Sequence, residues 1–283
     1  MRICLADSDP NILVEVLSHT DMPILYSFFY GLRIASKLHT RMHLRGKTAV
    51  YLDSGVFSAR KRSQTIDADE LIAFYHAQAG EVDWVLNNDQ GSPEEQLATC
   101  RKMKDAGVPV IGIYHGTMPL DYISRFADIS PYVAVSFFVL GVRQVIALSP
   151  SNPSRNEYLD SIFAYVHRKG LWPLRLHALG TEQGNLLMTY PFYSCDATGY
   201  ASDYMFRKVT TYDVSNWQFR SIMLSDRKLL GKALAKRGFD AARCSREGFE
   251  GRVARALVAA RARQELQEAL TKLWASRGIT WDE

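Results

Sequence analysis

Two aspartates offer the most definite chemistry in this sequence. Asp53 follows the apolar run Thr48–Leu52 and opens the segment Asp-Ser-Gly-Val-Phe-Ser. Asp196 follows Tyr193–Cys195 within Tyr-Pro-Phe-Tyr-Ser-Cys-Asp-Ala-Thr-Gly-Tyr. Each sits where an apolar strand gives way to a small-residue turn, which aims a side chain into a concave mouth. Two carboxylates converging in one mouth make a useful pair: one attacks as a nucleophile while the other moves protons. The pair also suits substitution at a sugar anomeric carbon, whose transition state is oxocarbenium-like.

Other polar residues fall at comparable positions. Asn87, Asn88 and Asp89 follow the strand ending at Leu86. His115 and Gly116 follow Val108–Tyr114, and His177 and Gly180 close Leu174–Ala178. Ser54, Gly55 and Phe57 complete the Asp53 turn, where Gly55 allows a ligand close approach to the backbone. Arg60, Lys61 and Arg62 come next, a basic run suited to phosphate. Each residue taken singly also fits a structural role: Asp and Asn form turns, a lone histidine is commonly a satisfied core residue, and a charge run is commonly a solvated loop.

The elements that must position these residues follow from apolar patterning. Strands are expected at Ile24–Phe29, Thr48–Leu52, Trp84–Asn87, Val108–Tyr114, Tyr132–Ser136, Val145–Leu148, Leu174–Ala178 and Tyr193–Cys195. Helices are expected at Ala68–Ala79, Pro93–Ala106, Leu120–Phe126, Asn156–Lys169, Gln183–Tyr190 and Ser215–Met223. Ser92 reads as an N-cap with Pro93 at the first helical position. The alternation signals βα units around a parallel sheet, and 283 residues suffice for one α/β barrel of about 250 residues with an extension. The expected fold is a TIM-type (β/α)8 barrel over residues 1–225. A basic helical extension over 226–283, with helices at Arg227–Arg237 and Arg252–Arg277, packs on it. In such a barrel the C-terminal strand ends line the active site, and Asp53, Asn87, Asn88, Asp89, His115, His177 and Asp196 lie at such ends.

Charge is uneven. Residues 226–283 hold 13 Lys+Arg and 8 Asp+Glu, so the remainder is near neutral while the whole chain carries +4. Lys228, Lys232, Lys236 and Arg237 share one helical face, and Arg252, Arg255 and Arg263 mark a second. Such asymmetry fits a polyanionic partner, as it fits a solvated helix face. The four cysteines are widely spaced, with no CxxC pair, which argues against a disulfide framework and for a reducing compartment. No run of about 18 apolar residues occurs, so no membrane span is expected. Arg2, Asp7 and Asp9 interrupt the opening segment, so no secretory leader is read there.

Five segments occur in a telling order: Asp53–Ser58, the strand end at Asn88, Ile113-Tyr114-His115-Gly116, Leu176–Gly180 and Tyr190–Thr198. Together, over Leu25 to Tyr204, they resemble the tRNA-guanine transglycosylase superfamily. They are most similar to its phage and bacterial branch of 7-deazaguanine DNA transglycosylases. The resemblance implies that Asp196 is the nucleophile, attacking C1′ of a guanosine nucleotide and expelling guanine. It makes Asp53 the general acid/base and a free 7-deazaguanine, foremost its 7-cyano form, the incoming base. Asn88 and Asp89 would read the purine edge, and His177 and Gly180 would shape the pocket floor.

The sequence also departs from that family. Members usually carry Asp where Asn88 stands, and the glycines often present at the end of the Val133–Phe138 strand are missing. The CxCxxC-plus-His zinc site of the tRNA enzymes is absent, so no structural zinc and no cofactor are expected. This favours DNA as partner, with tRNA as the alternative. An N-glycosidase-type hydrolase and a non-catalytic nucleic-acid-binding barrel remain alternatives from other classes. The expected location is cytoplasmic, in the host cytoplasm if the chain is phage-encoded.

Overall fold

The structure is a computed structural model that describes residues 1–6, 9–30, 48–78, 80–137, 153–197 and 199–281. Eight parallel strands close into a barrel in sequence order: β1 Arg2–Ala6, β2 Ile24–Ser27, β3 Val50–Asp53, β4 Trp84–Leu86, β5 Val110–His115, β6 Tyr132–Ser136, β7 Arg175–Leu179 and β8 Ser194–Ala197. This is the (β/α)8 barrel that the strand–helix rhythm predicts. The strand that closes it is β1, which sequence patterning did not single out. It pairs with β2 (Leu5 opposite Ile24) and with β8 (Cys4 opposite Asp196). The expected strand Val145–Leu148 lies outside the described residues.

Helices α1 Pro10–Leu17, α2 Val56–Lys61, α3 Ala68–Gln78, α4 Pro93–Asp105, α5 Asp121–Ala127, α6 Pro153–Arg168, α7 Gly184–Thr189 and α8 Gly199–Met205 follow the strands. Local chemistry fixes their starts. The Asp9 carboxylate caps α1, accepting from the amides of Asn11 and Ile12, with Pro10 at its entry. Ser92 and Glu95 form a reciprocal capping box on α4. No helix among the described residues is long and apolar enough to cross a membrane.

Alternation along the strands divides the core. Cys4, Tyr51, Leu86, Ile111, Ile113, Tyr132 and Tyr193 fill the barrel interior, while a larger aliphatic cluster lies between strands and helices. The interior is unusually aromatic. The Tyr132 ring meets Trp84 edge-on at 5.1 Å and Tyr193 edge-on at 5.2 Å between centroids.

One expected helix is a strand. Residues 218–223 form β10 (Gln218–Met223), paired antiparallel with β9 (Lys208–Asp213) in a separate two-stranded sheet. Asp213 accepts from the Ser215 amide and hydroxyl at the turn, and Trp217 takes a positive φ of 58°. Cross-strand packing of Phe219 on Tyr212, rings 5.5 Å apart, and of Ile222 opposite Val209 favours the ladder over helix. Beyond the hairpin lie α9 Arg227–Ala235, α10 Ala241–Ser245 and the 29-residue α11 Gly248–Ser276. The last begins earlier than the Arg252 expected and runs through Gly251, where an added Cβ would sit 1.9 Å from the Arg246 carbonyl oxygen.

The second expected basic face dissolves in the structure. Arg255 and Arg263 are buried. Arg255 donates to the backbone carbonyls of Tyr204, Cys244 and Arg246. Arg263 pairs with Glu182 at 2.5 Å and with Asp203 at 3.1 Å. These arginines satisfy buried acceptors rather than facing a polyanion. Removing one partner of a buried ion network leaves unpaired charge, so Arg263→Leu is expected to cost about 3–5 kcal/mol. Urea unfolding measures this; a loss under about 1 kcal/mol would sink the assignment.

Candidate active site

The mouth at the C-terminal ends of the strands holds a cavity of about 880 Å³. Asp53 is the last residue of β3, His115 the last of β5, and Asp196 lies within β8. Their side chains line the cavity with Ser54, Phe57, Lys61, Arg62, Asp89 and Gly180. Two carboxylates predicted from separate strand ends thus share one space, three strand positions apart around the ring.

Their environments differ. Asp53 is held by the turn that follows it: its Oδ2 accepts from the Gly55 amide at 3.0 Å. Burial in the mouth, then the nearby charges of Asp89 and Asp196, push its pKa up to about 7. Asp196 is gripped on one oxygen: Oδ1 accepts from the Gly180 amide at 3.0 Å and lies 3.1 Å from His177 Nε2. His177 is fully buried, its Nδ1 against the Ser194 hydroxyl, which in turn meets the Tyr132 hydroxyl. The direction that satisfies every group runs Tyr132 O–H to Ser194, Ser194 O–H to Nδ1, and Nε2–H to the carboxylate. A carboxylate oriented through one oxygen keeps the other for reaction.

Gly55 is required where it stands. Its φ is +77°, and an added Cβ would lie 2.4 Å from Phe29 Cβ. Gly55→Ala is therefore expected to lower stability by about 3 kcal/mol and to displace Asp53. A thermal melt checks the first; a variant as stable as wild type would refute this reading of the turn.

Other expected site residues fall differently. Asn88 is buried, with Oδ1 accepting from the backbone and side-chain nitrogens of Gln90, and it does not line the cavity. Asp89 does, with its Oδ2 3.3 Å from His115 Nε2. Lys61 and Arg62 border the mouth, whereas Arg60 is exposed beside it. Lys228, Lys232 and Lys236 are exposed on and just after α9, away from the cavity lining. Burial drives the thiols of Cys4 and Cys195 well above their usual pKa, which disqualifies them as nucleophiles. Among the described residues no group of three or more His, Cys, Asp or Glu side chains could hold a metal ion.

Sequence reasoning missed Thr181, Glu182, Gln183, Ser202, Met205 and Phe206, all lining the mouth. Glu182 stands two residues beyond Gly180, so following the chain past the strand end would have found it. Met205 and Phe206 follow buried Tyr204 without periodicity, and nothing in the sequence marks them as exposed.

Comparison with solved structures supports the architecture. The chain is similar to the tryptophan synthase alpha chain from Legionella pneumophila subsp. pneumophila, with 11% identity, 94% of this chain and 92% of that chain covered, and a TM-score of 0.51. The tryptophan synthase A-subunit from Pyrococcus furiosus matches at 10% identity over 73% of this chain and 90% of that chain, with a TM-score of 0.47. A 3-hexulose-6-phosphate synthase matches at 14% identity, 70% and 89% coverage, and a TM-score of 0.41. At 11% identity the likeness to the Legionella chain shows the barrel fold alone. No family model and no curated protein matches the chain.

Proposed function

We propose that the barrel mouth is the active site of a base-exchange transglycosylase that removes guanine from DNA and inserts a 7-deazaguanine, foremost the 7-cyano form. One observation carries this reading: two carboxylates share a single cavity, one holding a proton near neutrality, the other fixed through one oxygen as an acceptor. A lone carboxylate would not suffice for double displacement at a sugar carbon. The order of the motifs around Asp53, His115, Gly180 and Asp196 supports the same class.

In the first half-reaction the Asp196 carboxylate attacks C1′, the C1′–N9 bond breaks, and guanine leaves with the proton that Asp53 supplies. In the second, the incoming base loses its proton to Asp53 and attacks C1′, releasing Asp196. Asp89, backed by His115, replaces Asn88 as the group that reads the purine edge. No step calls on a metal.

The direct test is incorporation of labelled 7-cyano-7-deazaguanine into DNA and into tRNA, side by side. Incorporation into DNA supports the reading. Incorporation into tRNA alone moves the protein to the tRNA reaction. Guanine release without incorporation makes it an N-glycosidase, and nucleic-acid binding with neither reaction makes it a binding barrel.

A further inference from the structure

Six large apolar side chains stand exposed among the described residues: Phe57, Met205, Phe206, Val214, Met223 and Phe249. Three of the six, Phe57, Met205 and Phe206, line the one cavity that holds Asp53 and Asp196. They come from separate parts of the ring. Phe57 lies on α2 after β3; Met205 ends α8 after β8, and Phe206 is the next residue. Phe206 is 66% exposed although the helix just before it buries Tyr200 and Tyr204 completely or nearly so.

The Met205–Phe206 lip stands on a buried ion network. Asp203, on α8, is buried against Arg263, Lys208 and the Thr210 hydroxyl. Gly199 opens the helix where an added Cβ would strike Glu182 and Arg263. On the other side, the Lys61 ammonium sits 4.2 Å over the Phe57 ring, and the Arg62 guanidinium 5.2 Å over Phe29. Exposed phenyl rings at the rim of a polar cavity, one of them beside a cation, match the chemistry of an unpaired base on its phosphate backbone. A duplex hides its base faces in the stack and would leave both phenyl rings against water or sugar.

We propose that the two lips form a platform for single-stranded DNA, with bases flanking the target stacked on Phe57 and Phe206 and their phosphates met by Lys61 and Arg62. This rests on the polynucleotide reading of the site above. It adds that the strand is presented already unpaired, so the enzyme does not itself need to open a duplex.

The test uses the full chain and a fluorescently tagged dT oligonucleotide of ten nucleotides, read by anisotropy. That probe contains no guanine, so its binding is independent of any exchange reaction. Phe57→Ala and Phe206→Ala are each expected to weaken binding about 5- to 100-fold, with Phe206→Tyr near wild type. Arg62→Gln is expected to reduce the salt dependence by about one counterion. Both rings are exposed, and unchanged thermal midpoints will show that the variants fold. The proposal is overturned if the wild type does not bind the strand, if it prefers a dA·dT duplex of equal length, or if both alanine variants bind like wild type. Loss of binding in the variants together with no base exchange by the wild type would uphold the platform and sink the transglycosylase reading instead.

Discussion

Asp196→Ala should reduce single-turnover base exchange by about 10⁴-fold or more while the barrel stays folded and DNA binding persists. The magnitude follows from the role. Removing a group that forms a covalent intermediate eliminates the route itself, and losses of this order are usual. The fold should tolerate the change. Asp196 accepts from His177 Nε2 and the Gly180 amide, and Asp196 and Gly180 line the open mouth, so water can enter and replace the lost oxygen. The expected stability loss is about 1–2 kcal/mol. Rapid-quench kinetics together with a thermal melt would check both halves. Exchange within tenfold of wild type would mean that Asp196 is not the nucleophile.

Asp53→Asn should lower exchange by about 10²- to 10⁴-fold and remove its pH dependence near neutrality. With a pKa of about 7, Asp53 is protonated below that pH and ionised above it. As the acid that assists guanine departure, it makes the wild-type rate of guanine release fall as pH rises through about 7. The same shift affects stability. The folded pKa lies above the ordinary carboxylate value of 3.8, so between the two values the folded state binds more protons than the unfolded chain. The stabilising contribution is fully present below 3.8 and is lost as pH rises through 7. At pH 8 the wild type therefore carries an ionised Asp53 beside Asp89 and Asp196. The neutral asparagine, which still accepts from Gly55, should melt higher than wild type at pH 8, with the gap closing toward pH 4. A variant less stable than wild type at pH 8 would contradict the charge crowding inferred here.

The strands that carry the carboxylates were legible because their residues are apolar runs ending in a polar turn. The structure shifts their ends by only one or two residues, which is enough to draw Asp53 and His115 into the strands themselves. The closing strand β1 was not legible. Arg2 and the acidic residues after the strand mask a four-residue apolar segment, Ile3–Ala6, whose partners, β2 and β8, lie at opposite ends of the barrel sequence. The 218–223 strand was hidden for a related reason: its ladder with 208–213 is a tertiary choice that local composition does not dictate. Arg255 and Arg263 look like surface charge on a helix in sequence. Only the packed structure shows the buried carbonyls and carboxylates that they satisfy. In the site, residue type and strand-end position indicated Asp53, Asp89, His115 and Asp196. They could not tell Asn88 from Asp89, because one residue of backbone rotation decides which side chain enters the cavity.

The most direct measurement is intact-mass analysis of the protein after incubation with a guanine-containing DNA strand, without incoming base, and denaturation at the point of reaction. The expected product is a covalent species heavier than the protein by the oligonucleotide less one guanine. Peptide mapping should place it on Asp196, and it should be absent from Asp196→Ala. Exchange or guanine release that proceeds with no such species, or an adduct mapped to another residue, would contradict the covalent route through Asp196.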